Sequence, residues 1–142
     1  MQQNLHIEHI YSALKDASKE IATYLRYHSA HLVESFSPFG KQQSTIDLEA
    51  DRMIHKHLLK SGVVYSLISE ESAQMQVINP DGEFIVSYDP IDGNNVLDVN
   101  MSVASIFGVW HAKDINGLSG RDLVGAVCTV YGSRTSLVWY NP

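Results

Sequence analysis

Three things are scarce in this sequence: cysteine, long apolar runs and, across its middle, basic residues. The single cysteine, Cys128, cannot form an internal disulfide, and its apolar neighbours indicate a buried structural thiol rather than a nucleophile. No stretch approaches the ~20 consecutive apolar residues of a membrane span. The N-terminus lacks a basic segment followed by an apolar run, so no signal peptide is expected. We therefore expect a protein of the cytosol or of an organelle interior, with no membrane partner.

The deficit of basic residues is confined to residues 61–112, which contain no Lys or Arg and seven Asp and Glu. The whole chain of 142 residues has a net charge of −6, so this segment carries the entire imbalance. An acidic protein of this kind does not present the basic surface that nucleic acid or an anionic membrane would require. The length and the 44% hydrophobic content are enough for one sizeable core, which predicts a single domain over residues 1–142.

Two helices are predicted at the start of the chain. Apolar residues recur every three or four positions from Leu5 to Leu32, which predicts a long first helix that Pro38 and Gly40 bring to an end. A second helix is predicted to begin at Ser44 or Thr45, both N-cap candidates, and to end at Gly62. Its buried stripe is expected to comprise Ile46, Ala50, Met53, Ile54, His57 and Leu58.

After Gly62 the pattern becomes that of strands. Residues 63–68 form a short apolar run rich in β-branched side chains, as in a strand covered on both faces. A turn at Asn79-Pro-Asp-Gly82 precedes a second strand over residues 83–88. Further strands are predicted over residues 101–110, 123–131 and 135–140, the last two forming a hairpin. The predicted fold is α/β of the α+β type, with two helices packed on a mainly antiparallel sheet.

Both of the first two predicted strands end on carboxylates. The first runs into Glu70 and Glu71, and the second into Asp89-Pro-Ile-Asp-Gly93. Four converging carboxylates would repel one another unless some are protonated or a cation binds, and hard oxygen ligands suit Mg²⁺ or Mn²⁺. Pro90 and Gly93 favour a tight turn that would aim both aspartates and the Ile91 carbonyl at one point.

Other interpretations of these motifs remain open. A Glu-Glu pair after a strand is common in solvated loops, and Asp-Pro-x-Asp-Gly alone is compatible with an ordinary turn. The occurrence of both at strand ends, in a segment without a cation to pair them, favours a metal site.

The motifs resemble those of the class 1 fructose-1,6-bisphosphatase family, which includes the sedoheptulose-1,7-bisphosphatases. The matching segments are Ile68-Ser-Glu-Glu71, Tyr88-Asp-Pro-Ile-Asp-Gly-Asn-Asn95, Asp98-Val-Asn-Met-Ser-Val-Ala-Ser-Ile-Phe-Gly108, Gly120-Arg-Asp-Leu-Val124 and Tyr131-Gly-Ser-Arg-Thr135. They stand in the family's order and spacing, and residues 107–110, 119–122 and 132–135 look closer to the sedoheptulose branch.

The resemblance implies a metal-dependent phosphatase that acts on the 1-phosphate of a sugar bisphosphate. The residues implied as ligands of two or three Mg²⁺ ions per site are Glu70, Glu71, Asp89, Asp92 and the Ile91 carbonyl. Asp47 would pair with Glu71 and orient a water for in-line attack, although stabilisation of the helix N-terminus explains Asp47 equally well. Asp92 and the backbone amides of Gly93, Asn94 and Asn95 would bind the phosphate. A homo-oligomer, dimer or tetramer, is also implied.

The sequence departs from the family pattern at two places. Asn94 and Asn95 replace the usual pair of serines, and Lys41 stands where the family has a loop aspartate near the metals. A lysine cannot ligate Mg²⁺, so that loop would act through phosphate contact or the base function would be weakened.

Family members are about twice as long as this chain. The resemblance therefore implies the N-terminal, metal- and phosphate-binding portion of a layered αβαβα fold. The C-terminal half, which supplies a further glutamate ligand and the residues that grip the sugar, would be absent. The alternative is a catalytically incomplete short relative that binds cations or associates with a full-length subunit.

Overall fold

The computed structural model describes residues 2–29, 31–38, 40 and 42–140. The helices are α1 (Gln2–Tyr27) and α2 (Thr45–Ser61), with 3₁₀ helices at Asn94–Val99 and Gly120–Asp122. The strands are β1 (Leu32–Phe36), β2 (Gln42–Ser44), β3 (Val64–Ser69), β4 (Gln76–Val77), β5 (Phe84–Asp92), β6 (Val103–Trp110), β7 (Gly125–Tyr131) and β8 (Thr135–Tyr140). None of the helices among the described residues combines the length and apolar composition needed to cross a bilayer.

Six strands form one sheet in the order β4-β3-β5-β6-β7-β8, and β1 pairs with β2 in a separate ribbon. Only β3 and β5 run parallel within the larger sheet, and its other neighbours are antiparallel. The predicted fold class and the hairpin of β7 and β8 are confirmed. The short strand β4 was not predicted.

One face of the sheet carries the core. Apolar side chains of α1 and α2 pack with alternating residues of the sheet, including Val86, Phe107 and Val127. The intervening residues of β6 and β7 lie on the opposite, outer face, where Ile106 is 45% exposed. Cys128 shares this outer face and is half-buried, rather than fully buried as predicted.

The first helix is shorter than predicted. It ends at Tyr27, and Leu32–Phe36 is the strand β1 paired with β2. The apolar period is misleading at both ends, because Leu5 and Leu32 are exposed and contribute nothing to the buried stripe. The His28 ring bonds the Tyr24 carbonyl at 2.9 Å, which occupies one of the carbonyl groups left over at a helix C-terminus.

The second helix matches its prediction closely. Ser44 is the N-cap, its hydroxyl accepts from the Asp47 amide, and Gly62 ends the helix in the left-handed conformation with φ of 74°. Of the predicted stripe, only His57 is not fully buried, and its ring lies 2.7 Å from the Glu20 carboxylate.

Candidate metal and phosphate site

The two carboxylate-bearing strands are neighbours and end at the same edge of the sheet. β3 and β5 are parallel, with Ser69 in register with Tyr88, and the Glu70 amide donates to the Tyr88 carbonyl at 3.0 Å. Glu70 and Asp89, the residues that follow this register pair, therefore stand side by side. A cleft of about 390 Å³ opens on the outer face beside them, between β3, β5 and β6.

The Asp89–Asp92 segment is extended strand, so the predicted tight turn is wrong. Asp89 pairs with Ile106 and Asp92 pairs with Ala104, so two residues of β5 lie opposite Ser105 alone. This is a β-bulge, and the reason is Pro90, which has no N–H to give to the ladder. The bend comes after Asp92, at Gly93, where φ is 85°.

The bulge decides which way the two aspartates point. The buried core positions of β5 before it are Phe84, Val86 and Tyr88, and the next core position is Ile91, three residues further on. In a regular strand, residues three apart point to opposite faces. Because the bulge shifts the alternation by one residue, Asp89 and Asp92 share the outer face with Ile106 and Ala104, while the Ile91 side chain enters the core.

Asp47 lies at the N-terminus of α2 and is 1% exposed. Its Oδ2 accepts from the Ser44 amide at 3.2 Å, from the Ser44 hydroxyl at 2.7 Å and from the Asn94 amide side chain at 2.5 Å. Its Oδ1 is buried without a hydrogen-bond partner. Asp47 thus caps the helix and also contacts the 3₁₀ helix that follows Gly93.

The segment after Gly93, for which phosphate binding stays a prediction, begins with a change in backbone handedness. Gly93 is left-handed and the next residues are right-handed in the 3₁₀ helix Asn94–Val99. Successive amides in such a pair of conformations point into one concavity, as in anion-binding nests. The Asn94 side chain is directed to Asp47, whereas the Asn95 side chain is exposed.

Glu71 is held by residues that the sequence reasoning missed. The side-chain amide of Gln43, a buried residue of β2, donates to Glu71 Oε2 at 2.7 Å and to the Glu71 carbonyl at 3.1 Å. The Glu71 backbone amide donates to the Ser69 hydroxyl at 3.2 Å, and that hydroxyl donates to Asp51.

Asp51 was available as a signal in the sequence. It lies four residues after Asp47 and therefore on the same face of α2. Burial, followed by the charge of Asp51, raises the pKa of Tyr88. The Tyr88 hydroxyl, on the core face of the sheet, therefore stays protonated. For Gln43, nothing in the local sequence distinguishes it from Gln42.

The side chains as they stand do not form a closed ligand set. Within the described part of the chain, no three His, Cys, Asp or Glu side chains are grouped closely enough to hold a metal ion. What the fold brings together is the two strand ends and the N-terminus of α2. The predicted role of Lys41 concerns a residue outside the described ones.

Comparisons with known proteins agree with this architecture. The family model described as "Fructose-1-6-bisphosphatase, N-terminal domain" matches residues 2–141. A class 1 fructose-1,6-bisphosphatase of Pelobacter propionicus is 35% identical over 94% of this chain and 42% of its own length. The chloroplastic sedoheptulose-1,7-bisphosphatase of Spinacia oleracea is 36% identical over 87% of this chain and 32% of its own.

Solved structures show the same fold. The holo form of Leishmania major fructose-1,6-bisphosphatase superposes with a TM-score of 0.87 at 27% identity, covering 96% of this chain and 48% of that one. The apo form of the same protein gives a TM-score of 0.78. The chain spans less than half the length of these relatives. It belongs to the fructose-1,6-bisphosphatase family and corresponds to that family's N-terminal domain.

Proposed function

We propose that the full-length protein is a sugar bisphosphatase that removes the 1-phosphate of sedoheptulose 1,7-bisphosphate or fructose 1,6-bisphosphate with the help of Mg²⁺, or of Mn²⁺. The observation that carries the proposal is the meeting of the Glu70-Glu71 and Asp89–Asp92 strand ends at one sheet edge in a chain of this family. The 35% and 36% identities to the two kinds of relative do not separate the two substrates.

The residues present fit a hard divalent cation. The donors available at the sheet edge are oxygens: the carboxylates of Glu70, Glu71, Asp89 and Asp92 and the Ile91 carbonyl. The unpartnered Oδ1 of buried Asp47 adds an acceptor that a bound water or ion would satisfy. Binding of two or three ions would require rotamer changes that bring at least three ligand side chains together, since no three in the described part of the chain are grouped as they stand.

When bound, divalent ions supply neutralisation of the phosphate charge and activation of a water for attack on phosphorus. The chain's own residues position the reactants. Asp47 and Glu71 orient the attacking water and accept one of its protons as the water oxygen bonds to phosphorus. The bond from phosphorus to the sugar oxygen breaks, and that oxygen takes up a proton to leave as a hydroxyl. Asp92 with the amides of Gly93, Asn94 and Asn95 orients the phosphate. The acidic surface faces a doubly phosphorylated anion, so the charges of the ions are what make substrate binding possible.

The test is phosphate release by the full-length protein from each bisphosphate, with and without Mg²⁺. Asp92→Asn should reduce kcat by at least about 100-fold, because it removes a charged ligand. Asp81→Asn is the matched control, since Asp81 is an exposed turn residue of the same acidic segment. Unchanged activity of Asp92→Asn, or equal losses in both variants, would refute the assignment.

One observation favours the alternative of a catalytically incomplete relative that binds cations or associates with a full-length subunit. The Asn94 side chain, in a position that the resemblance assigns to phosphate binding, is engaged by Asp47. Binding of Mn²⁺ without phosphate release from either sugar would support this alternative. The homo-oligomer remains a prediction, which light scattering on the purified protein would test.

A further inference from the structure

The Ser105 hydroxyl forms a hydrogen bond to the β-bulge of β5 from the core face of the sheet. Pro90 and Ile91 lie opposite Ser105, and both Ser105 and Ile91 are fully buried. The Ser105 hydroxyl donates to the Pro90 carbonyl at 2.6 Å. A side chain therefore supplies a hydrogen bond to the segment where the bulge interrupts the backbone ladder, and the accepting carbonyl lies between Asp89 and Asp92 in the chain.

Ser105 is itself held by a buried line of hydroxyls. Ser105 has one proton and gives it to Pro90, so the Tyr131 hydroxyl, 2.8 Å away, must donate to Ser105. Burial raises the pKa of Tyr131, which keeps this donor protonated. Ser18 of α1 lies 2.8 Å from the Thr129 hydroxyl, and its side chain acts to lower the pKa of Tyr131 against the larger effect of burial. The line connects α1 and β7 to the bulge, and its bonds reinforce one another.

We propose that Ser105, oriented by Tyr131, is a positioning residue that sets the divalent-cation affinity of the site by fixing the bulge that places Asp89 and Asp92 on one face. This inference rests on the proposed function. Neither side chain touches a ligand, because both lie on the core face of the sheet and the two aspartates lie on the outer face.

Loss of the Ser105 hydroxyl removes the side-chain donor that the Pro90 carbonyl has in this structure. The segment then relieves the cost by rotating the peptide unit or by losing the bulge. Without the extra residue, Asp92 returns to the face opposite Asp89, because residues three apart alternate in a regular strand. The consequence is weaker cation binding, beyond any loss of stability.

The experiment is Mn²⁺ titration of the purified full-length protein, with free Mn²⁺ measured by electron paramagnetic resonance. Ser105→Ala should weaken Mn²⁺ binding by about 10-fold to 100-fold, the range for residues that orient metal ligands. Tyr131→Phe should weaken Mn²⁺ binding less. Ser105→Thr, which keeps the hydroxyl, should bind Mn²⁺ with wild-type affinity. Thr129→Val is the control, since it removes a buried hydroxyl of the same line without touching Ser105.

The outcomes separate the two proposals. Wild-type Mn²⁺ affinity in a folded Ser105→Ala, or equal weakening in Thr129→Val, overturns the positioning role. If Ser105→Ala does not fold, Tyr131→Phe decides in the same way. Weaker Mn²⁺ binding in Ser105→Ala and Tyr131→Phe, together with wild-type affinity in Ser105→Thr and Thr129→Val, supports the positioning role. This support holds even if the wild type releases no phosphate, because that result would refute only the phosphatase activity. A wild type that binds no Mn²⁺ refutes both.

Discussion

The contact between Asn94 and Asp47 allows a quantitative test of the site's geometry. Asn94 donates to Asp47 Oδ2 at 2.5 Å, and Asp47 is 1% exposed. A hydrogen bond to a charged group contributes about 1.5–3 kcal/mol, and water cannot replace the lost donor at a buried carboxylate. Asn94→Ala should therefore lower the free energy of unfolding by about 2 kcal/mol.

The assay is urea unfolding of the full-length protein followed by circular dichroism, compared at a common m-value. The control is Asn95→Ala, one residue further on, where the side chain is exposed and the expected change is within about 0.5 kcal/mol. A double-mutant cycle with Asp47→Ala isolates the pair, and most of the cost of Asn94→Ala should disappear when Asp47 is absent. Additive losses, or equal losses in the two asparagine variants, would refute the reasoning.

Three further outcomes follow from the structure. Gly82→Ala should cost at least about 3 kcal/mol in the same unfolding assay, because a Cβ there would overlap the backbone of Val64 and Tyr65. An Ala at Gly117, where φ is +81° and space is open, should cost only about 1 kcal/mol, and equal losses would contradict the steric explanation. Lys56, followed by His57, lowers the pKa of the Glu20 carboxyl. The ionised Glu20 therefore stabilises the folded state at pH values above the ordinary carboxyl pKa. This stabilisation is lost as the pH falls through the lowered pKa. Glu20→Gln should lower stability at pH 7 by less than about 1 kcal/mol, since the group is partly exposed, and the difference should vanish in strong acid; a difference that persists there would exclude the ion pair as its cause. Ser44→Ala should cost at least about 2 kcal/mol, because it removes the α2 N-cap and also a hydroxyl donor to the buried Asp47 carboxylate. Thr45→Ala should cost less, and a larger loss from Thr45→Ala would show that Ser44 is not the N-cap.

Local signals in the sequence anticipated local structure well. Ser44, Asp47 and Gly62 delimit α2 because capping depends on residues only three or four positions apart. The first helix shows the limit of periodicity, since Leu32 continues the apolar spacing but belongs to a strand that pairs with β2. A helical period alone does not distinguish these two outcomes when the partner of Leu32 is Ser44, twelve residues further along the chain.

The residue types of the candidate site can be read from the sequence, whereas the backbone geometry around Asp89 and Asp92 differs from the local prediction. The Glu70-Glu71 and Asp89–Asp92 motifs are recognisable, and Pro90, two residues beyond a predicted strand, is a usable sign of a bulge. The local preference of Pro and Gly for turns instead predicts a tight turn for this segment. The support of Glu71 by Gln43 was not predictable, since the two residues are 28 positions apart.

The scarcity of basic residues in the middle of the chain, the acidic ends of two strands and the helix caps are properties of the sequence alone. They depend on composition and on neighbours a few residues away, so they can be identified without a fold. Only the tertiary structure decided that β3 and β5 are parallel neighbours, that a bulge opposite Ser105 turns Asp89 and Asp92 to one face, and that Asn94 reaches Asp47 across 47 positions. These arrangements arise from strand pairing and burial between distant segments, which no local pattern of residues specifies.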